Sequence, residues 1–291
     1  MLAITDHGVF IPHNELSDAD FLMLNGIEYR CLDEGNTNRQ CHFCAIAGSE
    51  ETVLQPMYHR TKYTWAGGNE ARALVRFDES LPDYERVYSA RGVCEMMQNC
   101  RDAGFFVTYN HPAWSLERYP DYMGYEGMHA MEIFNYRSAD SGYPEMNESV
   151  YDDMLMGGKR LFCIATDDNH TAESDAFGGY TVIGAKRLAY KDIADALFEG
   201  RFYASTGAEM DEMYVEDGML YVKTPPAREI RVFTGNRYAA RLLGTREAPV
   251  TEMCFDVSDP RCRYFRVVVT DFEGKQAFSR AYFPQEIGNF E

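Results

Sequence analysis

The chain has 291 residues, 45% hydrophobic and 14% aromatic, which fills a substantial core and excludes a disordered chain. Its formal net charge of −18, from 46 acids against 28 bases, excludes wrapping of long nucleic acid but not a small phosphorylated substrate held beside a cation. No apolar run is long enough to cross a bilayer and no basic, apolar leader opens the chain, so a cytoplasmic protein with no membrane partner and eight free thiols is expected.

Residues 1–5 form an apolar run that ends in Asp6-His7 and reads as a buried strand with two polar groups at its C-terminal end. Residues 21–28 (FLMLNGIE) form a second run ending in Glu28, and residues 42–47 (HFCAIA) a third that begins at His42. Residues 50–80 read as loop. The spacing of Val87, Ala90, Cys94, Met97 and Cys100 predicts a helix over 84–102 that stops at Gly104. A strand over 105–109 then hands over Asn110-His111-Pro112. Residues 114–127, rich in Tyr and Gly, read as loop, and 130–134 as a strand that carries Glu132 and ends in Asn135. A helix over 149–156, a strand over 161–165 that ends in Thr166-Asp167-Asp168-Asn169-His170, and a helix over 190–198 complete the first region.

Beyond Arg201 the texture changes. Short strand-like runs at 219–223, 229–234, 253–257, 264–270 and 278–283 are punctuated by Gly and Pro, with helical character only over 238–243. The expectation is an α/β region over residues 1–205 followed by a β-rich, sandwich-like domain over 206–291.

Four of the seven histidines, His7, His42, His111 and His170, sit beside strand ends in polar-rich sequence, Asp6 and Glu28 have matching placement, and Asp168 precedes His170 by two residues. Imidazole and carboxylate together suit zinc, manganese or iron. In an extended Asp168-x-His170 both side chains point the same way, so one ion or two adjacent ions can take both. Cys41 and Cys44 form a CxxC with no second pair to complete a zinc site.

The segments Ile4-Thr5-Asp6-His7, Asn25-Gly26-Ile27-Glu28, His42-Phe43, Asn110-His111-Pro112, Glu132-Ile133-Phe134-Asn135 and Asp168-Asn169-His170 fall in an order that resembles the PHP family, the polymerase and histidinol phosphatase domains. The resemblance covers residues 1–205. It implies a distorted seven-stranded (β/α) barrel with one to three divalent ions at the C-terminal ends of its strands, and hydrolysis of a small phosphorylated metabolite or nucleotide by metal-activated water. By resemblance, Glu28 bridges two ions, His42 and His111 complete one of these sites, Asp168 serves the other, and His7 and His170 belong to a third. Asp6 and Glu132 support the ligands or face the substrate. His7 or His170 protonates the leaving group, and Arg137 takes a phosphate or carboxylate.

The family opens with a His-x-His strand, and this chain begins at the family's second motif. Three readings stay open: an upstream start, a barrel short of its first strand with His13 recruited as a ligand, or a catalytically degenerate protein that keeps one metal and binds a ligand or partner. A barrel short of one strand exposes an edge that a homo-oligomer would cover.

Overall fold

Short turns join several of the strands, and this decides the architecture. The computed structural model describes residues 1–64, 68–171 and 174–286. Strands β1 (Leu2–Ile4), β2 (Met23–Leu32) and β3 (Gln40–Ala47) come first. Helix α1 (Ala90–Asp102), β4 (Phe105–Tyr109), α2 (Tyr119–Met123), β5 (Ala130–Asn135), α3 (Tyr136–Asp140) and α4 (Glu148–Met156) follow. Then come β6 (Phe162–Thr166), β7 (Tyr180–Ile183), α5 (Tyr190–Glu199) and β8 (Phe202–Ser205). Seven more strands close the chain: β9 (Glu212–Glu216), β10 (Met219–Ala227), β11 (Glu229–Phe233), β12 (Ala240–Leu243), β13 (Val250–Asp256), β14 (Arg266–Thr270) and β15 (Gln276–Ser279). No helix among the described residues is long and apolar enough to cross a membrane.

The chain divides into two compact units. One comprises Met1–Glu132, Tyr143–Glu145 and Ile183–Arg201; the other comprises Ile133–Gly142, Met146–Val182 and Phe202–Glu291.

In the first unit β1 runs parallel to β2, β2 antiparallel to β3, β3 antiparallel to β4, and β4 parallel to the start of β5. This mixed sheet corrects the seven-stranded (β/α) barrel expected above. Strand makes up 32% of the structure against 19% helix, so strand pairing and not a ring of helices organises the chain. The physical reason lies in the β2–β3 link. Strand β2 runs on past Glu28 to Leu32 and β3 begins at Gln40, which leaves only residues 33–39 between them. A parallel crossover needs a dozen residues or more. The chain therefore turns back, and the Arg39 guanidinium on Asp33 (2.7 Å) clasps the turn.

Helix α1 begins later than the apolar spacing suggested, because Ser89 caps it by accepting from the Gly92 amide (3.0 Å). Its buried face is Val93, Met96, Met97 and Cys100. Residues 119–123, expected as loop, form α2, started by Pro120 in its first turn. Helix α5 is tied to the sheet by Tyr190, whose hydroxyl donates to the Ala47 carbonyl (2.9 Å) and accepts from the Asn25 amide (3.2 Å). Gly26 lets the first three strands close up: a Cβ there would stand 2.8 Å from the Thr5 methyl.

The second unit contains two antiparallel arrangements, β13-β10-β9 and β12-β11-β14-β15-β8-β7. They share a core that includes Leu220, Val222, Ile230, Val232, Val267 and Val269. Alternation along β11 sends Ile230 and Val232 into that core and Glu229, Arg231 and Phe233 to the other face. The stretch 238–243, expected to be helical, instead contributes β12, paired through Arg231↔Arg241 and its neighbours. Arg266 is fully buried, clasped by Asp152 (2.7 and 2.8 Å) and Glu148 (3.2 Å) and stacked on Phe233.

Candidate metal centre

Three backbone devices in the first unit bring imidazoles to one carboxylate. Past β1, a parallel bridge joins His7 to Glu28: the Gly8 amide donates to the Glu28 carbonyl (2.9 Å) and the Glu28 amide to the Asp6 carbonyl (3.1 Å). In the β2–β3 pairing Glu28 faces Cys44 and Arg30 faces His42, so Glu28 and His42 are diagonal neighbours on one face of the sheet. His111 follows β4 with a φ of +24°, outside the usual range for a side chain of its size, which turns the chain sharply at the strand's end.

The result is a cluster around Glu28. Its Oε1 lies 2.8 Å from His42 Nδ1 and 3.2 Å from His111 Nε2, and its Oε2 lies 3.1 Å from His7 Nδ1. Ligand atoms of His7, Glu28 and His42 all fall within 4.8 Å of one another. Glu28, His42 and His111 are buried, whereas the His7 side chain is 25% exposed and forms the open side of the cluster. The Trp114 ring packs against His42 and His111 at 5.4 and 5.1 Å between centroids.

Protonation suits metal binding. Burial pushes His42 down to about 4 against the pull of Glu28, so its imidazole is neutral at neutral pH. Burial pushes the Glu28 carboxyl up, but His42 and the imidazole contacts of His42 and His111 outweigh this and hold it well below the usual range. A carboxylate only accepts, so the neutral His42 turns its Nδ1–H toward Glu28 and leaves a lone pair on Nε2. That Nε2 is buried and has no hydrogen-bond partner among the described residues. A buried bare lone pair is costly unless something binds it. A neutral imidazole, as at His42, and an ionised carboxylate, as at Glu28, are the states in which such groups ligate zinc, manganese or iron.

The remaining predicted residues divide. Glu132 is buried and its Oε2 accepts from the His111 amide (2.8 Å), so it positions a ligand's backbone. Asp6 gives Glu28 its carbonyl and keeps an exposed side chain. His13 precedes a short 3-10 turn and lies 3.5 Å from the exposed Glu15. Asp168, His170 and Arg137 belong to the second unit. There Asp168 has a φ of +53° and accepts from Asn135 (3.3 Å), and His170 Nδ1 lies 2.8 Å from the Asp168 carbonyl. Arg137 pairs with Asp175, a carboxylate that also takes the amides of His170 and Thr171. Burial raises Asp175, but these donors outweigh it and hold it below its ordinary range. Cys41 and Cys44 lie three apart on β3 and so point to opposite faces, which removes the CxxC as a shared site.

Sequence reasoning missed two partners. Ser115 Oγ lies 3.1 Å from His111 Nδ1 and fixes that ring; its only sequence signal is a hydroxyl four residues after the histidine. Asp175, five residues after His170, was legible only as one acid among many. No family model, curated protein or solved structure matches the chain.

Proposed function

We propose that the first unit binds a divalent transition metal through His7, Glu28, His42 and His111, and that the protein hydrolyses a phosphoester. One observation carries the metal reading: the buried Nε2 lone pair of His42, without a hydrogen-bond partner among the described residues, stands in a group with Glu28 and His7. A divalent ion supplies the acidity that makes water a nucleophile near neutral pH and the positive charge that a phosphoryl group requires. The chain's own residues divide the remaining work. Glu28 orients the imidazoles and neutralises charge. His7, whose side chain is 25% exposed, completes the ligand set on the side from which a substrate approaches. Trp114 and the buried sheet exclude water from the closed side. The ordered resemblance to the polymerase and histidinol phosphatase family favours a phosphoester over other substrates of metal-assisted hydrolysis.

A second reading has its own support. Arg137, the cation expected to take the phosphate, is engaged by Asp175, and among the described residues one group alone has metal-ligand spacing. A module that keeps a single metal and binds a ligand or partner fits these facts.

Metal content separates the readings. After loading with zinc, manganese or iron and desalting, plasma mass spectrometry is expected to find about one ion per chain, absent from Glu28→Ala. Turnover of p-nitrophenyl phosphate or a nucleotide panel by the loaded protein, lost in the same variant, supports the hydrolase. Metal without turnover leaves the binding module, and a chain that retains no metal rejects both.

A further inference from the structure

The second unit carries a cavity of about 570 Å³ on the face of β11 that points away from the core. Arg228, Glu229, Arg231, Phe233, Arg241 and Thr270 line it. In a chain of net charge −18, these residues place three guanidinium groups against one carboxylate.

The strand register makes this arrangement costly by itself. Arg231 stands directly opposite Arg241 across the β11–β12 pair, and like charges at such positions repel. Glu229 relieves part of this: it bonds the Arg241 guanidinium and lies 3.6 Å from Arg231 Nε. Glu148 lies 3.5 Å from another Arg231 nitrogen. Arg228 makes no ion pair among the described residues. Two polar atoms remain buried without a hydrogen-bond partner among the described residues, Arg231 Nε and Thr270 Oγ1, and Thr270 as a whole is only 3% exposed. Buried polar groups in folded proteins are nearly always paired, with protein, water, an ion or a ligand, so these two atoms leave room for a further partner.

We infer that this cavity binds a small phosphate monoester. Several guanidinium forks and a hydroxyl offer more donors than a planar carboxylate accepts, and Arg228, Arg231 and Arg241 against Glu229 and Glu148 leave a net positive charge for a phosphate. Phe233 and the alanines of the wall give an organic body an apolar surface. The site does not rest on the metal reading, because none of its residues belongs to the Glu28 cluster.

The test uses the full chain stripped of metal with a chelator. Calorimetric titration with inorganic phosphate and with glycerol 2-phosphate is expected to show one saturable site that Glu28→Ala leaves unchanged. Arg228→Gln and Arg241→Gln, both at exposed positions, each weaken it about tenfold, and Thr270→Val weakens it a few-fold. Acetate binds more weakly than either phosphate probe. Absence of saturable phosphate binding, equal affinity in the arginine variants, or loss on Glu28→Ala would each overturn the assignment. Should an arginine variant fail to fold by circular dichroism, Thr270→Val and the acetate comparison decide.

Discussion

Two buried carboxylates in the first unit are each surrounded by three side chains, and they differ in what those side chains leave over. Glu28 faces His7, His42 and His111. Glu117 accepts from the hydroxyls of Tyr88 (2.9 Å), Tyr109 (2.7 Å) and Tyr125. The phenols spend their only donor on the carboxylate, so the Glu117 cluster is closed. An imidazole has a second nitrogen, and His42 turns one toward Glu28 while the other has no hydrogen-bond partner among the described residues. The charges diverge as well. Burial pushes Glu117 up to about 7 although the tyrosines pull it down, whereas Glu28 is held below its usual range. The segment between His111 and Glu117 carries Ser115 and Trp114, so the closed cluster anchors one end of a turn whose other end supplies a ligand. A satisfied carboxylate holds structure; one with spare lone pairs around it has capacity to bind.

The comparison breaks most visibly at Glu28. Glu28→Ala should lower metal affinity more than about a hundredfold, since it removes a ligand that also orients the others, while changes confined to supporting groups cost 10–100-fold. Retained metal in an equilibrium dialysis assay would place the ion elsewhere. Glu117→Ala should act on folding instead. It strands the buried hydroxyls of Tyr109 and Tyr125 and should cost about 3–5 kcal/mol in urea denaturation. A loss below about 1 kcal/mol would mean that the phenols find other partners.

The two carboxylates should also give opposite pH dependence. Glu117 is raised from 4.5 to about 7 in the folded chain. Its contribution is complete below 4.5 and is lost as the pH rises toward 7, on the order of 3 kcal/mol in all. Glu28 is lowered, so its contribution is present above 4.5 and is lost as the pH falls through its folded value. His42, at about 4 against 6.5, destabilises the fold as the pH falls from 6.5 to 4 and partly masks the Glu117 slope. The informative quantity is therefore the difference between metal-free wild type and Glu117→Gln, measured in urea at pH 5 and pH 7.5. Glu117→Gln should lose more stability at the lower pH, and parallel profiles would show that Glu117 titrates normally.

Much of the Glu28 cluster was legible in the sequence and the architecture around it was not. His7, Glu28, His42 and His111 each follow or sit in a short apolar run, and such runs are what hydrophobic patterning marks in a sequence. Pairing direction has no such mark. The segment 21–28 reads the same in a parallel or an antiparallel sheet, and only the continuation of β2 through Tyr29–Leu32 shortens the link enough to force a hairpin. Tyr238–Leu243 failed for a related reason, because Ala, Arg and Leu favour helix intrinsically while pairing with β11 fixes Ala240–Leu243 as strand. The Glu117 cluster was invisible, since Tyr88, Tyr109 and Tyr125 meet only through the fold.

The smallest effect tests whether the metal cluster depends on support from outside it. Glu132 accepts from the His111 amide at 2.8 Å, at the residue whose positive φ turns the chain after β4. An amide oxygen can replace the carboxylate as acceptor, so Glu132→Gln should retain metal affinity within a few-fold. Glu132→Leu fills similar volume but leaves the His111 amide without that acceptor, and should weaken metal binding about tenfold by letting the turn relax. The pair of variants separates orientation from charge. Equal losses in Gln and Leu would make the Glu132 charge the active property and place it with Glu28 as a group that stabilises the cation. Recovery by Gln alone would make the hydrogen bond the active property, and the His111 turn the part of the site that must be held in place.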